Sequence, residues 1–268
     1  MAARQPAASR AQEAYFEQAE HDPCRLSLPR CGSSRLRGGD AAPPVAVTAE
    51  GVYGGALTGS TSNVFNLLVL ENGEYWALYG TRPASVFFVS GVVQGTGASS
   101  NGTFTSSNAR DFGVVPALAG TVNATYNASA QTIAGNLVFA AGTTGFSGGP
   151  IAGSTYNYNT PAQLSAVSGT WALSSTSGNS IAMNIASSGA FTAVSADGCS
   201  FSGTVTPRAS GKNVFNLSMT FGAAPCALAG QTAAGIALTY PLATGGNQLL
   251  AAVVDGTRSF GSVAFGTR

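Results

Sequence analysis

Beyond Pro43-Pro44 the chain runs in short alternating stretches rather than helical periods. Ile181, Met183 and Ile185 alternate with small or polar residues before a Ser187-Ser188-Gly189 turn, and Phe215, Leu217, Met219 and Phe221 alternate after Gly211. A period of two sends one set of side chains into a core and the other into water, so each run predicts a half-buried β-strand. Further strand candidates cover Val86 to Val93, Thr103 to Ser106, Gly120 to Tyr126, Ile133 to Phe139, Gly169 to Leu173, Phe201 to Thr206, Ile236 to Tyr240, Leu249 to Val254 and Ser259 to Phe265. No helical period competes in this part of the chain.

The strongest local signal is Val64 to Tyr79, two aliphatic and aromatic runs separated by Asn72-Gly73, a preferred hairpin dipeptide. A two-residue loop sets Val69 opposite Trp76 and Leu67 opposite Leu78, so Phe65, Leu67, Val69, Trp76 and Leu78 are expected to share the core face. The other face would carry Asn66, Leu68, Leu70, Tyr75, Ala77 and Tyr79, a mixed set suited to a cavity or a partly wet surface.

These strands, spaced regularly by Gly and Asn turns, predict an all-β fold, an antiparallel barrel or sandwich. Between about Gly142 and Gln163 the alternation stops and Gly, Ser, Thr, Tyr and Asn crowd together. The expected organisation is a disordered or processed tail over 1–42, a first β module over 43–142, a connector over 143–164 and a second β module over 165–268. Gly51-Val52-Tyr53 opens the first module much as Gly169-Thr170-Trp171 opens the second, which suggests a diverged duplication. Asn-Val-Phe-Asn-Leu also occurs twice, at Asn63 and Asn213, but at a different offset, and reads as convergence. The Gly-x-Trp opening followed by meandering hairpins resembles the small calyx barrels of lipocalins and of bacterial surface lipoproteins, including the transferrin-binding type. That resemblance implies a barrel and says nothing of the ligand.

Composition narrows the class. The 268 residues are 44% hydrophobic, enough for a sizeable core, yet only 9% are charged, against roughly 25% in ordinary soluble domains. Small and hydroxyl residues fill the polar positions, a profile of secreted or cell-envelope β proteins. Six basic residues (Arg4, Arg10, Arg25, Arg30, Arg35, Arg37) fall in the first 42 positions, and the other six balance six carboxylates. A body without a basic stripe offers no footprint for a phosphate backbone, so nucleic acid is not an expected partner. No run approaches the roughly 18 apolar residues of a spanning helix, and the strand runs are short for a lipid-facing barrel.

The tail holds His21, Cys24 and Cys31; Ala7 to Ala19 has the Ala, Gln and Glu content of a short helix, but an isolated helix of that length is marginal in water and disorder is the expectation. It lacks the apolar stretch of a secretory signal. Leu28-Pro29-Arg30-Cys31-Gly32-Ser33-Ser34 resembles the lipobox of bacterial lipoproteins, with Pro29 and Arg30 where that motif has small residues, so attachment to the outer-membrane surface would need a differently started form. In the body only Cys199 and Cys226 remain. Two cysteines cannot build a structural zinc site; as a disulfide in an oxidising compartment they would contribute about 3 to 4 kcal/mol.

Candidate chemistry is sparse. From Pro43 onward there is no histidine and one lysine, Lys212, whereas acid–base and nucleophilic catalysis normally need a group tunable near neutral pH. Gly145-Phe146-Ser147-Gly148-Gly149-Pro150 satisfies G-x-S-x-G and resembles the segment around the nucleophile of trypsin-like proteases. Phe146 stands where those enzymes carry aspartate, and the partners are missing, so a Gly-rich loop is the expectation. Glu71 and Glu74 flank the hairpin turn as a carboxylate pair that could serve a hydrolase or a cation, or simply discourage edge pairing. Tyr75, Tyr79, Tyr156 and Tyr158 are the candidate binding residues, the last two in the polar connector where display to a partner is expected. The sequence thus predicts no enzyme, cofactor or metal, but an envelope or secreted protein that binds a protein, a glycan or a small apolar ligand. The alternatives are an adhesive β-solenoid and a carboxylate hydrolase using Glu71 and Glu74.

Overall fold

The computed structural model describes residues 47–268; the readings of the tail, including the Ala7 to Ala19 helix and Cys31, lie outside the described residues. The first module contains β1 (Gly51–Thr58), β2 (Val64–Val69), β3 (Glu74–Thr81), β4 (Phe88–Thr96), β5 (Ala98–Ser100), β6 (Thr103–Asp111), β7 (Leu118–Asn127), β8 (Thr132–Phe139) and β9 (Gly142–Gly149). Neighbouring strands pair antiparallel, β1 returns to pair with β9, and β4 also pairs directly with β6. The sheet therefore closes through eight strands, and the short β5 extends it along β6. After a one-turn helix α1 (Leu164–Val167), the second module closes as β10 (Gly169–Ser175), β11 (Ser180–Ile185), β12 (Ala190–Ser195), β13 (Ser200–Pro207), β14 (Phe215–Phe221), β15 (Thr232–Pro241), β16 (Asn247–Asp255) and β17 (Gly261–Thr267). Two closed antiparallel barrels replace the choice between barrel and sandwich and exclude a solenoid of stacked rungs.

Alternation explains most of this. In β10, β11, β12 and β14 every second residue is buried, and Trp171, Leu173, Met183, Phe191, Leu217 and Met219 meet inside the second barrel. Two regions break the pattern. All but one of the residues of β2 and nearly all of β16 are buried, because one face of each lines its own barrel while the other packs on the neighbouring barrel. That seam joins Leu68, Trp76 and Leu78 of the first barrel to Ile236, Leu250 and Val263 of the second. Polar groups are fixed within it: the Gln248 amide, wholly buried, accepts from Phe87 N at 3.0 Å and donates to Phe87 O at 2.7 Å. Elsewhere the outer faces carry residues such as Asn123, Asn136, Asn184 and Thr192, all exposed. Polar outside and apolar inside is the reverse of a lipid-facing barrel.

Three expectations need correction. The β2–β3 hairpin pairs Val69 with Tyr75 and Leu68 with Trp76, one residue away from the expected register. Leu70 N bonds Glu74 O and Gly73 N bonds Leu70 O, with Gly73 at φ +80°; this is a three-residue loop whose left-handed third residue demands glycine, not the two-residue turn. The slip exchanges partners between faces, so Phe65, Leu67 and Val69 share the barrel interior with Tyr75, Ala77 and Tyr79. The opposite face is not wet; it is the seam. Second, the segment read as connector from residue 143 holds a strand, β9, which closes the first barrel. Its glycines escape an alternation test, and they are needed, since a Cβ on Gly55 of β1 would lie 2.1 Å from Ser147 O across the closing pair. Third, Glu71 and Glu74 do not face each other as a pair: Leu70, not Glu71, lies opposite Glu74.

The duplication reading gains a geometric counterpart. Gly51 and Gly169 open β1 and β10, and the same spacing maps Tyr53 onto Trp171 and Ala49 onto Val167. Tyr53 Oη donates to Ala49 O at 2.8 Å, and Trp171 Nε1 donates to Val167 O at 2.7 Å. The repeated pentapeptide falls on β2 and β14, strands of different rank in their barrels.

Candidate functional site

Each barrel has one end built shut. In the second, the Arg268 guanidinium lies 4.0 Å from the Trp171 ring centre and donates to Ser168 O and Ala166 O beside α1. The stacked cation and its two carbonyls hold the helix over the barrel end. In the first, Tyr53 fills the matching place, its hydroxyl pushed up to about 12 by burial and by neighbouring Tyr126 and Glu50. Tyr126 Oη donates to Val47 O at 2.7 Å, tying the entering chain across the same end.

The interior of the first barrel is not filled. A cavity of about 220 Å³ opens inside it, with six aromatic rings among its lining: Phe65, Tyr75, Tyr79, Phe104, Phe139 and Phe146. Glycines on β4 make room for them. Tyr75 pairs across the sheet with Gly95, and Tyr79 with Gly91; a Cβ at Gly95 or Gly91 would fall 2.5 or 2.3 Å from the tyrosine oxygen. Each ring lies over a glycine and carries its hydroxyl across β4 to β6. There Tyr75 Oη meets Ser106 Oγ at 3.1 Å, and Tyr79 Oη donates to Asp111 Oδ1 at 2.7 Å. Burial, then the Asp111 charge and this bond, push the Tyr79 hydroxyl far above its ordinary value, and burial raises that of Tyr75. Both remain protonated donors at any physiological pH. Asp111 is the one charged residue of the lining.

The second barrel holds a cavity of about 230 Å³ near Met183, Phe191, Met219 and Phe221. Cys199 and Cys226 form the expected disulfide, and Ala227 and Leu228 of the loop that it ties down line this cavity. Asp197 at the rim is used by its own turn, accepting from Ser195 Oγ, Cys199 N and Asn179 Nδ2. The Ser195 hydroxyl above all, with the other donors, holds it below the usual carboxylate range.

The sequence-predicted site residues therefore separate. Tyr75 and Tyr79 come together in the first cavity. Tyr158 is buried in the seam, its hydroxyl donating to Glu50 Oε1 at 3.1 Å and its ring lying under Lys212, which pairs with Glu50 at 2.9 Å. Tyr156 is half-buried and donates to Asn213 O. Neither ring is displayed as the connector's composition suggested, because the connector is stitched against the β13–β14 loop. Glu71 pairs with Arg208 at 2.8 Å, and Glu74 accepts from Trp76 Nε1 at 2.9 Å. Ser147 stands exposed on β9, beside an inward Phe146. Among the described residues no three His, Cys, Asp or Glu side chains gather as a metal site. Sequence reasoning missed Ser106 and Asp111; the signal available was the pair Gly91 and Gly95, four residues apart on β4, which makes room for the aromatic rings laid across that strand.

No family model matches the sequence, and no curated protein matches it. Among solved structures, Aeromonas veronii immune modulator A aligns over 83% of this chain and 95% of that chain at 10% identity and a TM-score of 0.36, too low a score to carry an argument.

Proposed function

We propose that this is a non-catalytic binding protein of the cell envelope or the secreted space, and that its first barrel holds a small apolar ligand. The observation that carries the reading is the aromatic-lined cavity of about 220 Å³, with the far end tied shut by Tyr53 and Tyr126. Concave, mostly apolar sites with a few placed polar groups are the usual form of small-molecule sites. The Cys199–Cys226 disulfide supports an oxidising compartment. The absence of histidine from residues 43–268 and the engagement of Glu71 and Glu74 with other partners favour binding over turnover.

Filling the cavity tests this. Ala77 lies in the lining, and Ala77→Phe should weaken binding of the neutral dye N-phenyl-1-naphthylamine by at least about tenfold, the loss expected when burial of one or two methylene-sized groups is denied. Equal dye binding by a folded Ala77→Phe protein would remove the first barrel as the site.

A further inference from the structure

We propose that the ligand of the first barrel is an amphiphilic amine, an apolar body carrying a positively charged nitrogen that pairs with Asp111. This rests on the cavity reading above and adds the head group.

The one carboxylate that lines the cavity is left without a counter-charge among the described residues. The body has six carboxylates, and five have evident employment. Glu50 pairs with Lys212 and Glu71 with Arg208, the two ion pairs among the described residues. Glu74 accepts from the Trp76 indole. Asp197 and Asp255 cap their own turns, Asp255 accepting from Thr257, Ser259 and Phe260 N. Asp111 differs. It lines an apolar, aromatic cavity with no cation of the described residues in ion-pair range, and the bonds it receives, from Tyr79 Oη and Gly113 N, both end on Oδ1. A carboxylate drawn into apolar surroundings is costly unless a counter-charge meets it. The nearest cation in sequence, Arg110, faces outward, donating to Arg258 O at 3.2 Å, so the described residues supply none.

The surroundings of Asp111 select the same ligand. Faces of aromatic rings attract a cation, and the lining provides six rings. An anionic amphiphile would meet Asp111 as a like charge. A neutral one would gain the apolar contacts and leave the carboxylate without its counter-ion.

Three probes with one chain separate the parts: octan-1-ol, octylammonium and octanoate, each competing with N-phenyl-1-naphthylamine on the full chain at neutral pH. Octylammonium should bind about tenfold or more tighter than octan-1-ol, as a charge-assisted bond implies, and octanoate should bind weakest. In Asp111→Asn the ratio of amine to alcohol affinity should fall to about one. Equal binding of all three probes by the wild-type chain, or an amine preference that survives Asp111→Asn, would overturn the proposal while leaving an apolar site intact. Dye and octan-1-ol that both fail to bind would overturn the cavity reading itself. The comparison of amine with carboxylate needs no substitution, so it stands even where Asp111→Asn perturbs the hold on Tyr79.

Discussion

The two barrels share strand count, pairing order and the way their first strand is anchored, yet they treat their ends differently. The second is braced twice, by Arg268 stacked on Trp171 at one end and by the disulfide at the other. Among the described residues the first has no such stack at its Tyr53 end and no cross-link, its one arginine over a ring being Arg82 on Phe87 at 5.1 Å in the seam; Pro150 occupies the position matching Arg268, and Tyr53 replaces the tryptophan. Its interior instead trades side-chain volume on β4 for glycine, and places two tyrosine hydroxyls and a carboxylate inside. One framework thus reaches two ends: in the second barrel, covalent and cation–π bracing; in the first, an interior arranged around polar groups. Fold alone does not decide function; the two barrels differ in the residues set on a shared framework.

The largest test of that contrast is Trp171→Ala. It removes a ring 1% exposed, its bond to Val167 O and the surface on which Arg268 stacks, and should cost about 3 to 5 kcal/mol, measured by urea unfolding. Next comes reduction of Cys199–Cys226, expected to cost about 3 to 4 kcal/mol. Hydrogen exchange should place that loss in β12 to β15, with β1 to β9 unchanged; equal loosening of both barrels would mean the bracing is not local. The smallest effect concerns the link between the barrels. Burial alone would raise the Glu71 carboxyl, but its own backbone N–H and Arg208 hold it below its ordinary value of 4.5. A depressed carboxylate contributes stability above its unfolded value that is lost as pH falls through its folded value. Stability should therefore drop by up to about 1 kcal/mol in the acid range below that ordinary value, and Glu71→Gln should flatten this part of the pH profile.

Much of the fold was legible because its signal is local. Alternation located β7, β8, β13 and β14 nearly to their ends, the apolar run Leu249 to Val254 marked β16, and Gly51 and Gly169 marked both opening strands. What failed was decided by single glycines or by distant surfaces. Gly73 in a left-handed conformation lengthened the hairpin loop and reversed the faces. β9 was hidden because its glycines accommodate a close strand pair rather than a core. The seam was unreadable for another reason: Leu68 and Leu250 look like surplus apolar residues until a second barrel lies against them. Within the site, Tyr75 and Tyr79 were picked out by residue type, and their convergence follows from the corrected register. Asp111 was passed over because its meaning depends on which side of β6 it faces, and an irregularity between Ser106 and Ala109 resets that side.

The seam is built from two unlike surfaces. It sets the second to fourth strands of one barrel against the sixth to eighth of the next, so the two contributing surfaces differ, and a head-to-tail contact of that kind has no built-in end. The outer faces away from the seam are mostly polar, with Asn123, Thr125 and Asn136 on the first barrel and Asn184, Thr192 and Ser202 on the second all exposed, and Val138 and Val194 as single exposed apolar residues among them. Leu68, Leu250 and their partners, apolar residues on the outside of their own barrels, are spent on an internal joint rather than left as an adhesive edge.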